Sequence, residues 1–177
     1  MYILILIVVL VLLSCIIIYN GIVSLKINVN KSKSGIDVYL QQRFDLIPNL
    51  IEVTKGYMNY EKDLLDRITK LRVAYKENKN EEAINELNHE YHNIMATVEN
   101  YPELKASEQF LKLQKALIKI ESQLQAARRI YNIDVTKYNT KISKFPNNII
   151  AGIFKFKELP LFVLEDEEGK SSIDVKL

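Results

Sequence analysis

The sequence predicts an all-α protein: an N-terminal transmembrane helix, then an up-and-down, antiparallel four-helix bundle with long first and last helices. Three observations predict it. The first 25 residues carry no charged side chain. Downstream, apolar residues recur at steps of three, four or seven, the spacing of one helix face. Only five Gly and four Pro interrupt a chain of 177 residues rich in helix formers, and no strand-like alternation appears.

The opening run MYILILIVVLVLLSCIIIYNGIVSL would make a helix of about 37 Å, enough to cross a hydrocarbon core of about 30 Å with some tilt. A cleaved signal peptide needs a basic n-region, and none precedes this run. Leu12-Leu13-Ser14-Cys15 resembles a lipoprotein cleavage box, so lipidation of Cys15 is an alternative anchor. The apolar run continues through Ile16, Ile17 and Ile18, however, which reads Cys15 as a small buried residue of the span. Lys26, Lys31 and Lys33 follow the span and nothing basic precedes it except the α-amino group. The positive-inside rule then places the N-terminus outside and the bundle in the cytoplasm. A single thiol makes no intramolecular disulfide.

Helix one continues from the span through Ile22, Leu25, Val29, Ile36, Leu40, Phe44, Ile47, Ile51, Thr54 and Tyr57 or Met58. This register does not reset at Pro48, so the proline kinks one helix instead of separating two, and helix one ends near Gly56. Leu64, Ile68, Leu71 and Tyr75 mark helix two. Asn80 suits the cap of helix three, which presents Ile84, Leu87, Tyr91, Ile94 and Val98 and ends near Asn100. Pro102 suits the first position of helix four, expected over residues 102–144. That helix carries a heptad repeat: Phe110, Leu117, Leu124, Tyr131, Tyr138, Phe145. The organisation is thus a span at 1–25, a bundle at 26–146, a short apolar segment at 147–164 and an acidic, disordered tail at 165–177.

Few residues could carry chemistry. Glu86-x-x-His89 matches one element of a di-iron bundle, but with two histidines in the chain, His89 and His92, the second element cannot exist. His89-Glu90-Tyr91-His92 is one residue short of the zinc protease pattern, and neither a serine elbow nor a phosphate loop is present. The sequence therefore predicts no enzyme, no cofactor and no metal. The net charge of +2, without a dense basic block, argues against nucleic acid.

Four residues after each heptad position stand Gln114, Glu121 and Arg128, polar groups bordering the apolar seam. Helix one offers Asp37, Arg43, Asp45 and Asn49 at comparable depth. We expect a structural network in which Arg43 reaches Glu121 and Arg128 reaches Asp45, fixing helix register. Tyr-Asn pairs also recur at Tyr19-Asn20, Tyr131-Asn132 and Tyr138-Asn139. Tyr19 suits an interfacial anchor, while Tyr131 and Tyr138 suit packed rings with bonded hydroxyls.

The segments YNGIV (19–23), IDVYLQQRFDLIPNLIEVTKGY (36–57), YPELKAS (101–107), ESQLQAARRIYN (121–132) and YNTKISKFP (138–146) resemble the LemA family over nearly the whole chain. The resemblance implies an N-terminal transmembrane helix with its start facing outward, a helical bundle, and no established molecular activity. Family genes often neighbour that of a membrane zinc metalloprotease, which implies a link to envelope quality control. Two departures appear: residues 28–33 lack the family's tryptophan-containing pattern, and Gln41-Gln42 replaces a more basic stretch, which weakens a case for acidic lipid binding there.

These readings converge on a membrane-tethered, non-catalytic bundle that scaffolds or binds other envelope proteins. Its expected partners are the lipid bilayer and envelope proteins of unknown identity, and its expected contact surfaces are residues 149–164 and the acidic tail. The alternative is a ligand or metal sensor using the bundle interior around Glu121, Arg128 and Tyr131.

Overall fold

The computed structural model describes residues 1–55, 61–79 and 81–162. Its regular elements among those residues are helices: α1 (Tyr2–Val53), α2 (Glu61–Asn78), α3 (Glu81–Glu99), α4 (Pro102–Lys105), α5 (Glu108–Ser143) and α6 (Asn147–Ile153). The chain divides into two compact units, one of Met1–Ser32 and Arg128–Leu177 and the other of Lys33–Ala127. The acidic tail, the Asn80 cap and Gly56 lie outside the described residues.

In the unit Lys33–Ala127, the helix-one stripe supplies Ile36, Leu40, Phe44, Ile47, Leu50 and Ile51 to the core, all essentially inaccessible. Ile68 of α2, Leu87 and Ile94 of α3, and Phe110, Leu117 and Leu124 of α5 are buried in the same unit. Phe44 stacks on Tyr75 with ring centroids 5.6 Å apart. The Tyr75 hydroxyl donates to Asp37 at 2.6 Å, and Lys79 pairs with the other oxygen of that carboxylate at 3.0 Å. Lys79 sits just past α2 at φ 51°, and its N–H bonds the Tyr75 carbonyl, a left-handed end more often given to glycine.

α1 runs through Pro48 without a break. Proline has no N–H, so the Phe44 carbonyl lacks its usual partner four residues on. A Pro48→Ala substitution restores that donor, and we expect a folded protein about 1 kcal/mol more stable; denaturant unfolding checks this, and a chain that fails to fold would show that the bundle needs the proline. Helix one ends earlier than expected, at Val53. There Thr54, fully buried, turns its hydroxyl back onto the Ile51 carbonyl at 2.8 Å.

The expected single helix over 102–144 is broken. Pro102 opens a one-turn α4, the chain leaves it at Ala106, and Ser107 starts α5 afresh by accepting the Phe110 N–H on its hydroxyl at 3.2 Å. Proximity of two start signals, Pro102 and Ser107, is the physical reason. The heptad begins after the break, and its first five members, Phe110 through Tyr138, are all buried. The sixth, Phe145, is 79% exposed because α5 has already stopped at Ser143. Buried Asn147 caps that end, its side-chain amide donating to the Lys141 carbonyl at 3.0 Å.

In the unit of the two termini, Ile22 and Val29 of α1, Val135 and Ile142 of α5, and Ile150 and Ala151 of α6 are buried. α6 closes with Lys155 at φ 55°, its N–H on the Gly152 carbonyl and that of Phe156 on the Ala151 carbonyl, which is a Schellman end. From Phe156 the chain runs on without regular structure to Phe162.

Candidate functional site

Two polar constellations stand beside the apolar core, one in each unit. In the unit Lys33–Ala127, Arg43 is 8% exposed and its guanidinium meets Glu121 at 2.9 Å. The same guanidinium lies 5.6 Å from the centre of the Tyr91 ring. α1 presents Arg43 inward because it sits one position from Phe44 and four from Ile47, on the edge of the buried stripe. The long aliphatic stem packs there while the charged head finds a carboxylate. Burial raises the Tyr91 phenol above its ordinary value; Arg43 opposes that shift and Glu121 adds to it.

Asp45 pairs with Arg72 of α2. Arg128, in the other unit, lies 4.6 Å over the Phe162 ring. The expected pairing of Arg128 with Asp45 stays an expectation: Asp45 has a partner within its own unit, and Arg128 an aromatic face within its own. Asn49 is exposed and has no side-chain hydrogen bond among the described residues. A further pair escaped the sequence reading: Glu90, 5% exposed on α3, bonded to Arg67 of α2. Its signal was present, since Glu90 lies three residues after Leu87 and four before Ile94, on the buried face of α3.

The second constellation is a clamp. On α5 the side-chain amide of Asn139 donates to the Leu159 carbonyl at 2.8 Å and accepts the Leu159 N–H at 2.9 Å. Asn132 treats Phe162 identically, at 2.9 and 2.7 Å. The Tyr138 hydroxyl donates to the Lys157 carbonyl at 3.1 Å and that of Tyr131 to the Pro160 carbonyl at 3.2 Å. Both Tyr-Asn pairs of α5 therefore hold the backbone of a strap over residues 157–162, and the pattern repeats every seven residues on the helix and every three on the strap. The two repeats match in length: seven helical residues advance about 10.5 Å and three extended residues about 10 Å. Pro160 fits the track because the residue before it is driven extended and the track uses only its carbonyl. The repeated Tyr-Asn pairs were visible in the sequence. Their partner was not, because the clamp reads backbone atoms, which any sequence provides.

Glu121 is held by a guanidinium, and the tyrosine beside it is kept neutral. His89 bonds the Asn93 side chain four residues on, and His92 sits edge-on to Tyr91. No group of three metal-ligating side chains occurs among the described residues. Cys15 is half-exposed within the apolar part of α1.

The tyrosine environments give a pH prediction. Burial raises the Tyr131 and Tyr138 phenols as well as that of Tyr91. Once unfolded, the chain ionises these groups near pH 10, as any tyrosine does, while the folded chain keeps the protons. Stability is therefore intact below about pH 10 and falls as pH rises through the folded values. Denaturant midpoints measured between neutral pH and pH 11, with absorbance recording phenolate formation, should show midpoint loss together with late-titrating tyrosines.

α1 is the one helix among the described residues long and apolar enough to cross a membrane, with that window at its N-terminal end. The sequence profile of the LemA family matches residues 32–177. Magnetosome protein MamQ 2 of Paramagnetospirillum magneticum is 22% identical over 174 residues, covering 81% of this chain and 64% of that protein. Protein LemA of Metamycoplasma hominis is 25% identical over 145 residues, covering 79% and 66%. The chain thus spans just under two thirds of the length of these relatives. With a helical fold, an apolar N-terminal helix and a profile match over most of its length, the chain belongs to the LemA family.

Proposed function

We propose that the chain is a membrane-tethered, non-catalytic helical scaffold that holds other proteins of the bacterial envelope. The observation that carries this reading is α1, which joins an exposed apolar stretch of spanning length to a buried bundle stripe in one helix, Tyr2–Val53. The polar groups nearest the seam support it, because Arg43, Glu121 and Asp45 are matched to one another or to neighbouring helices, and Arg128 to an aromatic ring. Lys26, Lys31 and Lys33, which follow the span, favour a cytoplasmic bundle with the N-terminus outside. Exposed apolar residues on the bundle, including Val73 and Ile118, are candidate protein contacts.

Site-specific photocrosslinking from Val73 and Ile118 in intact membranes is expected to give discrete protein adducts. The sensor reading predicts a different result: a metal ion or small molecule that raises the melting temperature of the wild type but not of Glu121→Gln. That outcome, without protein adducts, would replace the scaffold. Intact mass decides the anchor, since diacylglycerol on Cys15 with loss of residues 1–14 would replace the span by a lipid.

A further inference from the structure

We propose that the turn after α5 and the helix α6 form a second membrane contact, which seats on an anionic lipid surface beside the α1 span. α6 buries Asn147, Ile150 and Ala151, yet its outer face is also apolar. Phe145, Ile149 and Ile153 follow at four-residue steps and are 79%, 52% and 66% exposed, with Phe154 beyond them at 54%. A surface helix facing water carries polar residues there, and one apolar all round expects an apolar neighbour.

Position says which neighbour. Tyr19 touches both aromatics that follow α6, with centroids 4.6 Å from Phe154 and 5.8 Å from Phe156. Lys26, the first charge after the apolar run, lies 5.8 Å over the Phe156 ring. Tyr19 and Lys26 are separated by about 10.5 Å of helix, so α6 packs at the last two turns of the uncharged run, the level of a bilayer's aromatic and headgroup belt. The Lys141 stem lies against Gly21, its Cε 3.8 Å from where a Cβ would stand.

Charge says which lipid. Lys141, Lys144, Lys155 and Lys157 flank the apolar face along the chain and Lys26 lies over Phe156, with no acidic residue between Lys141 and Lys157. Across residues 1–32 and 128–162 there are nine basic side chains and two acidic ones, Asp134 and Glu158. Apolar side chains at the acyl boundary with lysines around them are the chemistry of an element lying on an anionic leaflet. The contact sits some distance along the chain from Gln41-Gln42, where the basic stretch is lost.

This inference rests on α1 being the membrane anchor, and the test separates the two. The full chain is reconstituted in phosphatidylcholine bilayers with and without phosphatidylglycerol, carrying an environment-sensitive fluorophore and lipids with a nitroxide at either a shallow or a deep position, the deep one read for the Cys15 probe and the shallow one for the others. The probe stands at Ile149→Cys in a Cys15→Ala background, at Thr140→Cys on exposed α5 as the comparison, or on the native Cys15 to report the span. The Ile149 probe is expected to be blue-shifted and lipid-quenched in phosphatidylglycerol bilayers while the Thr140 probe stays water-like. Changing Lys144, Lys155 or Lys157 to Gln should lower the seated-to-free ratio about fivefold per lysine. A quenched Cys15 probe with a water-like Ile149 probe overturns the second contact and leaves the anchor; quenching at neither overturns both. Shielding of Ile149 without lipid quenching marks a protein partner or second copy and overturns the proposal, as does equal quenching at Thr140 or indifference to both phosphatidylglycerol and the lysines.

Discussion

Replacing Arg43 with alanine should lower stability by about 3 kcal/mol. The substitution removes three things together: the 2.9 Å pair with Glu121, the cation over the Tyr91 ring, and the aliphatic stem that fills the edge of the α1 stripe. Breaking one side of a fully buried pair costs about 3–5 kcal/mol because the remaining charge is stranded. The Glu121 side chain is 36% exposed, so water relieves part of that penalty and the lower end applies. Tyr91 reports the same event, since loss of the cation leaves burial and Glu121 both raising its phenol. Denaturant unfolding gives the energy and tyrosine absorbance the titration. A loss below about 1 kcal/mol would place Arg43 among ordinary surface charges.

Replacing Asn132 and Asn139 together with alanine should free the strap while leaving the helices folded. The pair makes four hydrogen bonds to strap backbone. At about 1 kcal/mol net for each, and less where water can substitute, the local loss is about 3 kcal/mol. Amide exchange of Leu159 and Phe162 should accelerate about a hundredfold, with α5 core amides unchanged. Asn139→Asp offers a sharper version. Its ionised carboxylate still accepts the Leu159 N–H but faces the Leu159 carbonyl with no donor. The strap should loosen at neutral pH and tighten again in acid, where the protonated carboxyl can donate. The bound form has the raised carboxyl value, so its stability is present at low pH and lost as pH rises. Exchange at Leu159 that ignores both substitutions would mean that Phe162 on Arg128 and the tyrosine hydroxyls hold the strap alone.

The fold was legible where the signal is periodic. The helix-one stripe reads straight through Pro48, and five of the six heptad residues are buried because helical spacing converts directly into a face. The departures have local causes. Ser107 restarts a helix five residues after α4 begins, and Asn147 caps α5 before Phe145 can join the seam; both act through a single side-chain bond that periodicity does not register. Arg43 and Glu121 could be matched because each borders a core stripe. Arg72 could not be matched to Asp45, because it is a long exposed side chain on α2 and nothing in the sequence singles it out. The strap was hidden for a different reason: its contacts are to carbonyls and N–H groups, and only the Tyr-Asn repeat on the helix side leaves a trace.

The central claim is that polar residues beside the apolar seam are cross-links between helices. A double-mutant cycle on Arg43→Leu and Glu121→Leu tests it most directly. The account predicts that each single variant strands a charge and loses stability, while the double variant, with both charges gone, lies within about 1 kcal/mol of wild type. That requires a coupling of about 2 kcal/mol between the two positions. Additive losses, with no coupling, would contradict it.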